Sequence, residues 1–273
     1  MNFFERLRHA AECNDSLVCV GLDPALAKLP EHLRKAKRPF FEFNAALIDA
    51  TCDLVCCYKP QAAYYAGENR DDELADTIAY IHEKAPEVPV ILDVKRGDIG
   101  TTAEQYAREA FERYGAEAAT VNPYMGFDAV KPFLDVPGKG IFVLCRTSNP
   151  SAVDLQNLVA DGAPLYEHVA RLVRDKWNSD GSAGLVIGAT APEELRRLRE
   201  LCPSLWFLVP GVGAQGGDVE KVVKFGCDAD GFGIAVNSSR GIIYASKGTD
   251  FAEAARNAAA KLRDTINSFR SAR

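Results

Sequence analysis

Histidine is scarce in this chain. Only four occur in 273 residues, at positions 9, 32, 82 and 168, and no two are neighbours. None of the eight cysteines forms a Cys-x-x-Cys pair. A zinc or iron–sulfur site is therefore not expected. Several cysteines stand instead inside apolar runs: Cys19 in LVCVGLD, Cys56 and Cys57 in LVCCYKP, Cys145 in GIFVLCRTS. That is the pattern of reduced, buried thiols.

Long apolar runs are also missing. No stretch of 18 apolar residues is present, so no membrane span is expected. The opening MNFFERLRHAAECNDS has the spacing of an amphipathic helix with mixed charges, not of a signal peptide, and the cytoplasm is the expected location. No Lys/Arg-rich run exists and the net charge is −6, which argues against a nucleic-acid partner. Such a charge weakly repels anionic substrates, so any phosphate site must be built locally from one or two cations and backbone N–H groups. No Gly-, Ser- or Pro-rich linker divides the chain, so residues 1–273 read as a single domain.

What is present is alternation. Eight short apolar runs recur: 17–23, 54–60, 88–95, 117–124, 140–148, 184–190, 205–213 and 231–237. They are nearly continuous in Val, Ile, Leu and Ala, as suits strands buried on both faces of a parallel sheet. Helical patterns separate them, among them DDELADTIAYIHEKA and the final FAEAARNAAAKLRDTINSF. Thr101 with Glu104, Thr190 with Glu193, and Asp250 with Glu253 have capping-box spacing. Polar stretches such as VRDKWNSDGS and LRRLRE read as solvated helix faces. Eight strand–helix units predict a (β/α)8 barrel. A doubly wound open sheet is the runner-up, but its Gly-x-Gly-x-x-Gly fingerprint is absent after the first strand, where the chain reads GLDPAL.

In a barrel enzyme the site gathers at the carboxyl ends of the strands. Here the first run ends in Asp23, the second in Lys59, and the third in LDVKRGDIG, which packs Asp93, Lys95, Arg96 and Asp98 into six positions. Asp93 and Lys95 are two apart, so strand alternation places both on one face. A buried carboxylate and ammonium must then pair. One such pair is as easily a structural salt bridge as a site; three strands ending in charges that can turn inward favour a site. Asp98 lies past Gly97 in a turn, where an acid suits a helix N-terminus. GVGAQGG after the seventh run and SSRGI after the eighth sit where barrels commonly hold phosphate, although each alone is also an ordinary tight turn. The residues by themselves point to a barrel enzyme acting on a small phosphorylated molecule. Proton transfer, decarboxylation and Schiff-base aldol chemistry all remain open.

The motif Asp93-x-Lys95-x-x-Asp98-Ile99-x-x-Thr102 resembles the signature of the orotidine 5′-monophosphate decarboxylase family. Asp23, YKPQ around Lys59, NPYMG, TSNP, PGVGAQGGD and SSRGI match in order along nearly the whole chain, in the form of the longer, bacterial-type branch. SSRG stands where other branches carry Gly-Arg. The resemblance implies loss of CO2 from carbon 6 of orotidine 5′-monophosphate to give UMP, with no metal or organic cofactor. It implies that Lys95 stabilises and protonates the carbanion, that Asp93 lies beside the substrate carboxylate, and that Lys59 and Asp98 complete a charge array. Asp23 and Lys59 match contacts to the ribose hydroxyls, Ser148 one to the pyrimidine, and Gln215 and Arg240 those to the phosphate. It further implies a homodimer in which Asp98, Ile99 and Thr102 reach into the partner's site. The nearest rivals resemble 3-keto-gulonate 6-phosphate decarboxylase or hexulose-phosphate synthase, which share the Asp-x-Lys-x-x-Asp core but use an enediolate on magnesium. A Schiff-base aldolase using Lys95 or Lys59, and a catalytically dead nucleotide-binding module, are further alternatives.

Overall fold

Eight parallel strands follow one another in a ring. The computed structural model describes residues 1–212 and 217–270. The strands are β1 (Val18–Leu22), β2 (Cys57–Pro60), β3 (Ile91–Arg96), β4 (Ala118–Val121), β5 (Gly140–Arg146), β6 (Ala183–Ile187), β7 (Phe207–Pro210) and β8 (Ile234–Ser238). Their order in the sheet is β2-β1-β8-β7-β6-β5-β4-β3, every pairing parallel. Two bridges, Tyr58 to Val90 and Gln61 to Asp93, join β2 to β3 and close the ring. Closure leaves no sheet edge exposed and rules out the open doubly wound sheet. A separate two-strand hairpin, Val159–Ala160 with Ala163–Pro164, projects beyond β5.

The strands form where they do because their residues are largely apolar and have an apolar layer on either side, with charges such as Lys59, Asp93 and Lys95 gathered towards the carboxyl ends. β1, β4, β6 and β8 are buried at every position. All eight cysteines are free thiols, and Cys19, Cys56, Cys57 and Cys145 lie in the core. Outside the ring run the helices, among them Pro39–Thr51, Asp71–Lys84, Gly100–Arg108, Phe127–Leu134, Pro192–Leu201 and Val219–Gly226. The closing helix, Phe251–Phe269, matches the span read from the sequence.

The amino end of the barrel is plugged. The helix Phe3–Cys13 sets Phe3 edge-on against Phe142 of β5, ring centroids 5.9 Å apart. A Cβ at Gly140 would lie 2.5 Å from that Phe3 ring, so only glycine admits the plug at the start of β5. Asn2 and Glu5 supply a reciprocal capping box at the helix start. The carboxyl end remains open for a site.

Local sequence signals err at helix starts. None of the three expected capping boxes forms. Ile99, Ala191 and Asp250 occupy the cap positions, and none accepts a side-chain cap bond. Thr101 already lies inside its helix, and Asp250 Oδ1 accepts from the Ser246 hydroxyl instead. The polar stretches are exposed at Arg174, Asp175, Lys176, Arg196, Arg197 and Glu200, as expected of solvated faces, with two exceptions. Trp177 is buried and stacks on Phe127. Arg199, in LRRLRE, donates to the carbonyls of Gly226, Cys202, Pro203, Leu205 and Gly233. Burial lowers its pKa to about 10. The guanidinium ties together the two connections that lead into β7 and β8, a role that helical periodicity does not reveal.

Candidate active site

β1, β2 and β3 stand side by side, and their carboxyl ends bring Asp23, Lys59, Asp93 and Lys95 together. Lys59 Nζ donates to Asp93 Oδ2 at 2.8 Å, and both side chains are less than a tenth exposed. Lys95 Nζ donates to Asp93 Oδ1 at 2.5 Å and is 45% exposed. One carboxylate therefore bridges a deep ammonium and one that reaches the barrel mouth.

The charges hold each other ionised. Burial alone pushes the Asp93 carboxyl up, but Lys59 and Lys95 together outweigh it and hold the group well below the usual carboxylate range. Burial alone likewise pushes Lys59 towards losing its proton, and Asp93 followed by Asp23 reverse that, so its pKa is raised. Asp23 Oδ1 is buried and has no hydrogen-bond partner among the described residues. Its loop is tied down by Tyr244, whose hydroxyl accepts from the Ala25 N–H at 2.8 Å and donates to the Asp23 carbonyl at 3.1 Å.

Asp93 and Lys95 meet as expected, but the strand pleat does not bring them together. Lys95 has φ +49°, in the left-handed region, and the β3–β4 register shifts between Leu92 and Arg96. A bulge thus aims Lys95, as bulges beside functional sites often do. Thr120 of β4 fills the gap. Its hydroxyl contacts Asp93 Oδ1 at 2.8 Å and the N–H groups of Val94 and Lys95. A threonine inside an apolar run carries no sequence signal of such a part, and neither does Tyr244 in its loop.

The other expected residues are more scattered. Asp98, Ile99 and Thr102 lie at the start of the helix after β3, with Ile99 and Thr102 exposed. Asp98 Oδ1 accepts from the Ile99 N–H at 2.8 Å, and among the described residues Asp98 pairs with no cation. Within one chain these three do not join Lys95. Ser148 lines a cavity of about 670 Å³ with Arg146, Asn149, Pro150 and Thr190, beyond the ends of β5 and β6. Arg240 is exposed at the first position of the short helix Arg240–Ile243 after β8, and it forms no ion pair among the described residues. The adjoining Ser239 presses so close to β1 that a Cβ at Gly21 would lie 2.8 Å from its side chain. Gln215 lies outside the described residues. Among those residues, no group of three His, Cys, Asp or Glu side chains is placed to hold a metal ion.

A carboxylate clamped between two ammoniums at a barrel mouth can do two things. It can repel a second carboxylate brought beside it, and it can hold a lysine ammonium in place towards a bound molecule. The chain is similar in sequence and fold to known proteins. Residues 16–257 match the family described as "Orotidine 5'-phosphate decarboxylase / HUMPS family". The chain is 57% identical over 270 residues to the orotidine 5′-phosphate decarboxylase of Azoarcus sp., covering 99% of this chain and all of that one. It is 54% identical over 270 residues to that of Ralstonia nicotianae, with the same coverage. Among solved structures, the OMP decarboxylase of Leishmania donovani superposes with a TM-score of 0.86 at 40% identity, covering all of both chains.

Proposed function

The chain belongs to the orotidine 5′-phosphate decarboxylase family, a carboxy-lyase family that turns orotidine 5′-monophosphate into UMP in pyrimidine biosynthesis, and we propose how its own residues carry that reaction. Cleavage of the bond between C6 and the carboxylate releases CO2 and leaves an electron pair at C6, where the ring gives little delocalisation. Fixed charge must then supply the stabilisation. Lys95 Nζ, hydrogen-bonded to Asp93, faces that electron pair and delivers its proton to C6, and solvent reprotonates the amine. Asp93 lies beside the substrate carboxylate and disfavours the bound ground state more than the transition state. Lys59 fixes Asp93 from below, and with Asp23 it meets the ribose hydroxyls. The unpartnered Asp23 oxygen supports that assignment, since a buried acceptor calls for a donor.

Ser148 meets the pyrimidine, and Arg240 with Gln215 holds the phosphate. Binding the phosphate, remote from C6, supplies energy that is spent at the reacting centre. We read residues 1–273 as one domain that works in the cytoplasm as a homodimer, without metal or organic cofactor. Asp98, Ile99 and Thr102 of each chain complete the partner's site. Exposed apolar groups around them support this, Ile99 at 49% and Tyr124 at 82% exposure, with Met125 and Phe127 beside Tyr124. No helix among the described residues is long and apolar enough to cross a membrane.

The observation that carries this reading is the Asp93 carboxylate bridging Lys59 and Lys95 at the barrel mouth. The test is to add purified protein, dialysed against EDTA, to orotidine 5′-monophosphate and follow the loss of its absorbance. Loss at the same rate with and without chelator is expected. No loss, or loss restored only by magnesium, would favour the enediolate chemistry of the sugar-phosphate relatives.

A further inference from the structure

We propose that Thr120 is a positioning residue for the decarboxylation, its hydroxyl holding the β3 bulge that aims Lys95 and locking the carboxylate of Asp93. The inference rests on the roles given above to those two residues.

The bulge is a mismatch of two residues. β3 pairs with β4 at Ile91–Ala118 and Leu92–Ala119, and pairing resumes at Arg96–Val121. Asp93, Val94 and Lys95 therefore face Thr120 alone. The local ladder is lost, so the N–H groups of Val94 and Lys95 need other acceptors. Thr120 Oγ1 accepts both, at 3.0 and 2.9 Å. A hydroxyl has two lone pairs and one proton. With both lone pairs taken, its proton goes to Asp93 Oδ1, 2.8 Å away. The residue is 1% exposed, so water has no access to replace the hydroxyl.

One buried hydroxyl thus satisfies three groups of the site. Asp93 Oδ1 accepts from Thr120 and Lys95 while Oδ2 accepts from Lys59, so the carboxylate cannot rotate without losing a bond. Lys95 keeps its left-handed φ of +49° because its own N–H and that of Val94 are held. Strained backbone persists where the surroundings over-determine it. Thr120 does not face the barrel mouth and acts only through its neighbours.

The test compares Thr120→Val, which keeps the shape and removes the hydroxyl, with Thr120→Ser, which keeps the hydroxyl. Steady-state rates on orotidine 5′-monophosphate, UMP affinity and the pH profile of kcat are measured for each in the full chain. A misplacement of about 1 Å costs on the order of 100-fold, so Thr120→Val should lose about that much in kcat while UMP affinity changes by less than about threefold. Its acid limb should move to higher pH, because Asp93 has lost a donor. Thr120→Ser should stay within about fivefold of the wild-type kcat. If Thr120→Val does not fold, Thr120→Ala takes its place, and the ratio of serine to alanine variants isolates the hydroxyl. A valine or alanine variant with near wild-type kcat, or a serine variant as slow as either, overturns the proposal. A wild-type chain inactive on orotidine 5′-monophosphate would instead overturn the function assigned above.

Discussion

Lys59 Nζ lies 2.8 Å from Asp93 Oδ2, and the two side chains are 5% and 9% exposed. Their dependence on each other is unequal. Asp93 also accepts from Lys95 and Thr120, whereas Asp93 is the hydrogen-bonding partner of Lys59 among the described residues. Removing the acid takes from a buried ammonium its hydrogen-bonding partner and leaves it the more distant Asp23 charge, while removing Lys59 leaves the acid with two donors.

Asp93→Asn should therefore destabilise the fold by on the order of 3–5 kcal/mol, the usual result of breaking a buried pair from one side. Lys59→Met should cost less. Urea unfolding of both variants at neutral pH checks the order, and equal losses would contradict it.

The same carboxylate sets an acid limit to stability. Its pKa is lowered on folding, so its contribution is complete above the unfolded value of about 3.9 and is lost as the pH falls through the folded value. The stability difference between wild type and Asp93→Asn should be constant from about pH 5 to pH 8 and shrink below about pH 4. Unfolding free energies across that range test the sign.

Position 95 should prefer glycine to alanine once the ammonium is gone. A φ of +49° costs an L-residue roughly 1–2 kcal/mol that glycine avoids. Lys95→Gly and Lys95→Ala should both be inactive, with the glycine variant more stable by about 1 kcal/mol. Thermal unfolding of the pair decides it.

Arg240→Ala should weaken catalysis far more than folding, because the side chain is exposed at the start of the short helix after β8. Loss of one charge-assisted phosphate contact should cost roughly 2–5 kcal/mol in kcat/KM, with part of it restored by added guanidinium. A sharply lowered melting point with no rescue would remove Arg240 from the phosphate site.

Shared sites predict complementation. Lys95→Ala and Asp98→Ala, mixed after dissociation and reassociation, form hybrids in about half of all dimers. Each hybrid regains one intact site, so activity should return to about a quarter of wild type. If the mixture stays as inactive as its parts, Asp98 is only an acid at a helix start.

The alternation of apolar runs determined by itself that eight buried parallel strands form, and the charges after them marked the end at which Asp23, Lys59, Asp93 and Lys95 cluster. Both are readable because they depend on local composition: a strand covered on both faces must be apolar along its length, and a charge at its end must find a partner. Asp23, Lys59, Asp93 and Lys95 were legible for that reason. How Lys95 is aimed was decided only in three dimensions. Its bulge comes from β3 facing a β4 two residues shorter across the same gap, and the Thr120 hydroxyl that fills it looks like any other residue of an apolar run. Helix caps divide in the same way. The helix at Pro39 is capped by Glu73, whose Oε2 accepts from the N–H groups of Phe40 and Phe41, over 30 residues away. Thr101, Thr190 and Asp250 have the right spacing and cap nothing. A free N–H takes whichever acceptor the folded chain brings to it, and sequence distance does not measure that.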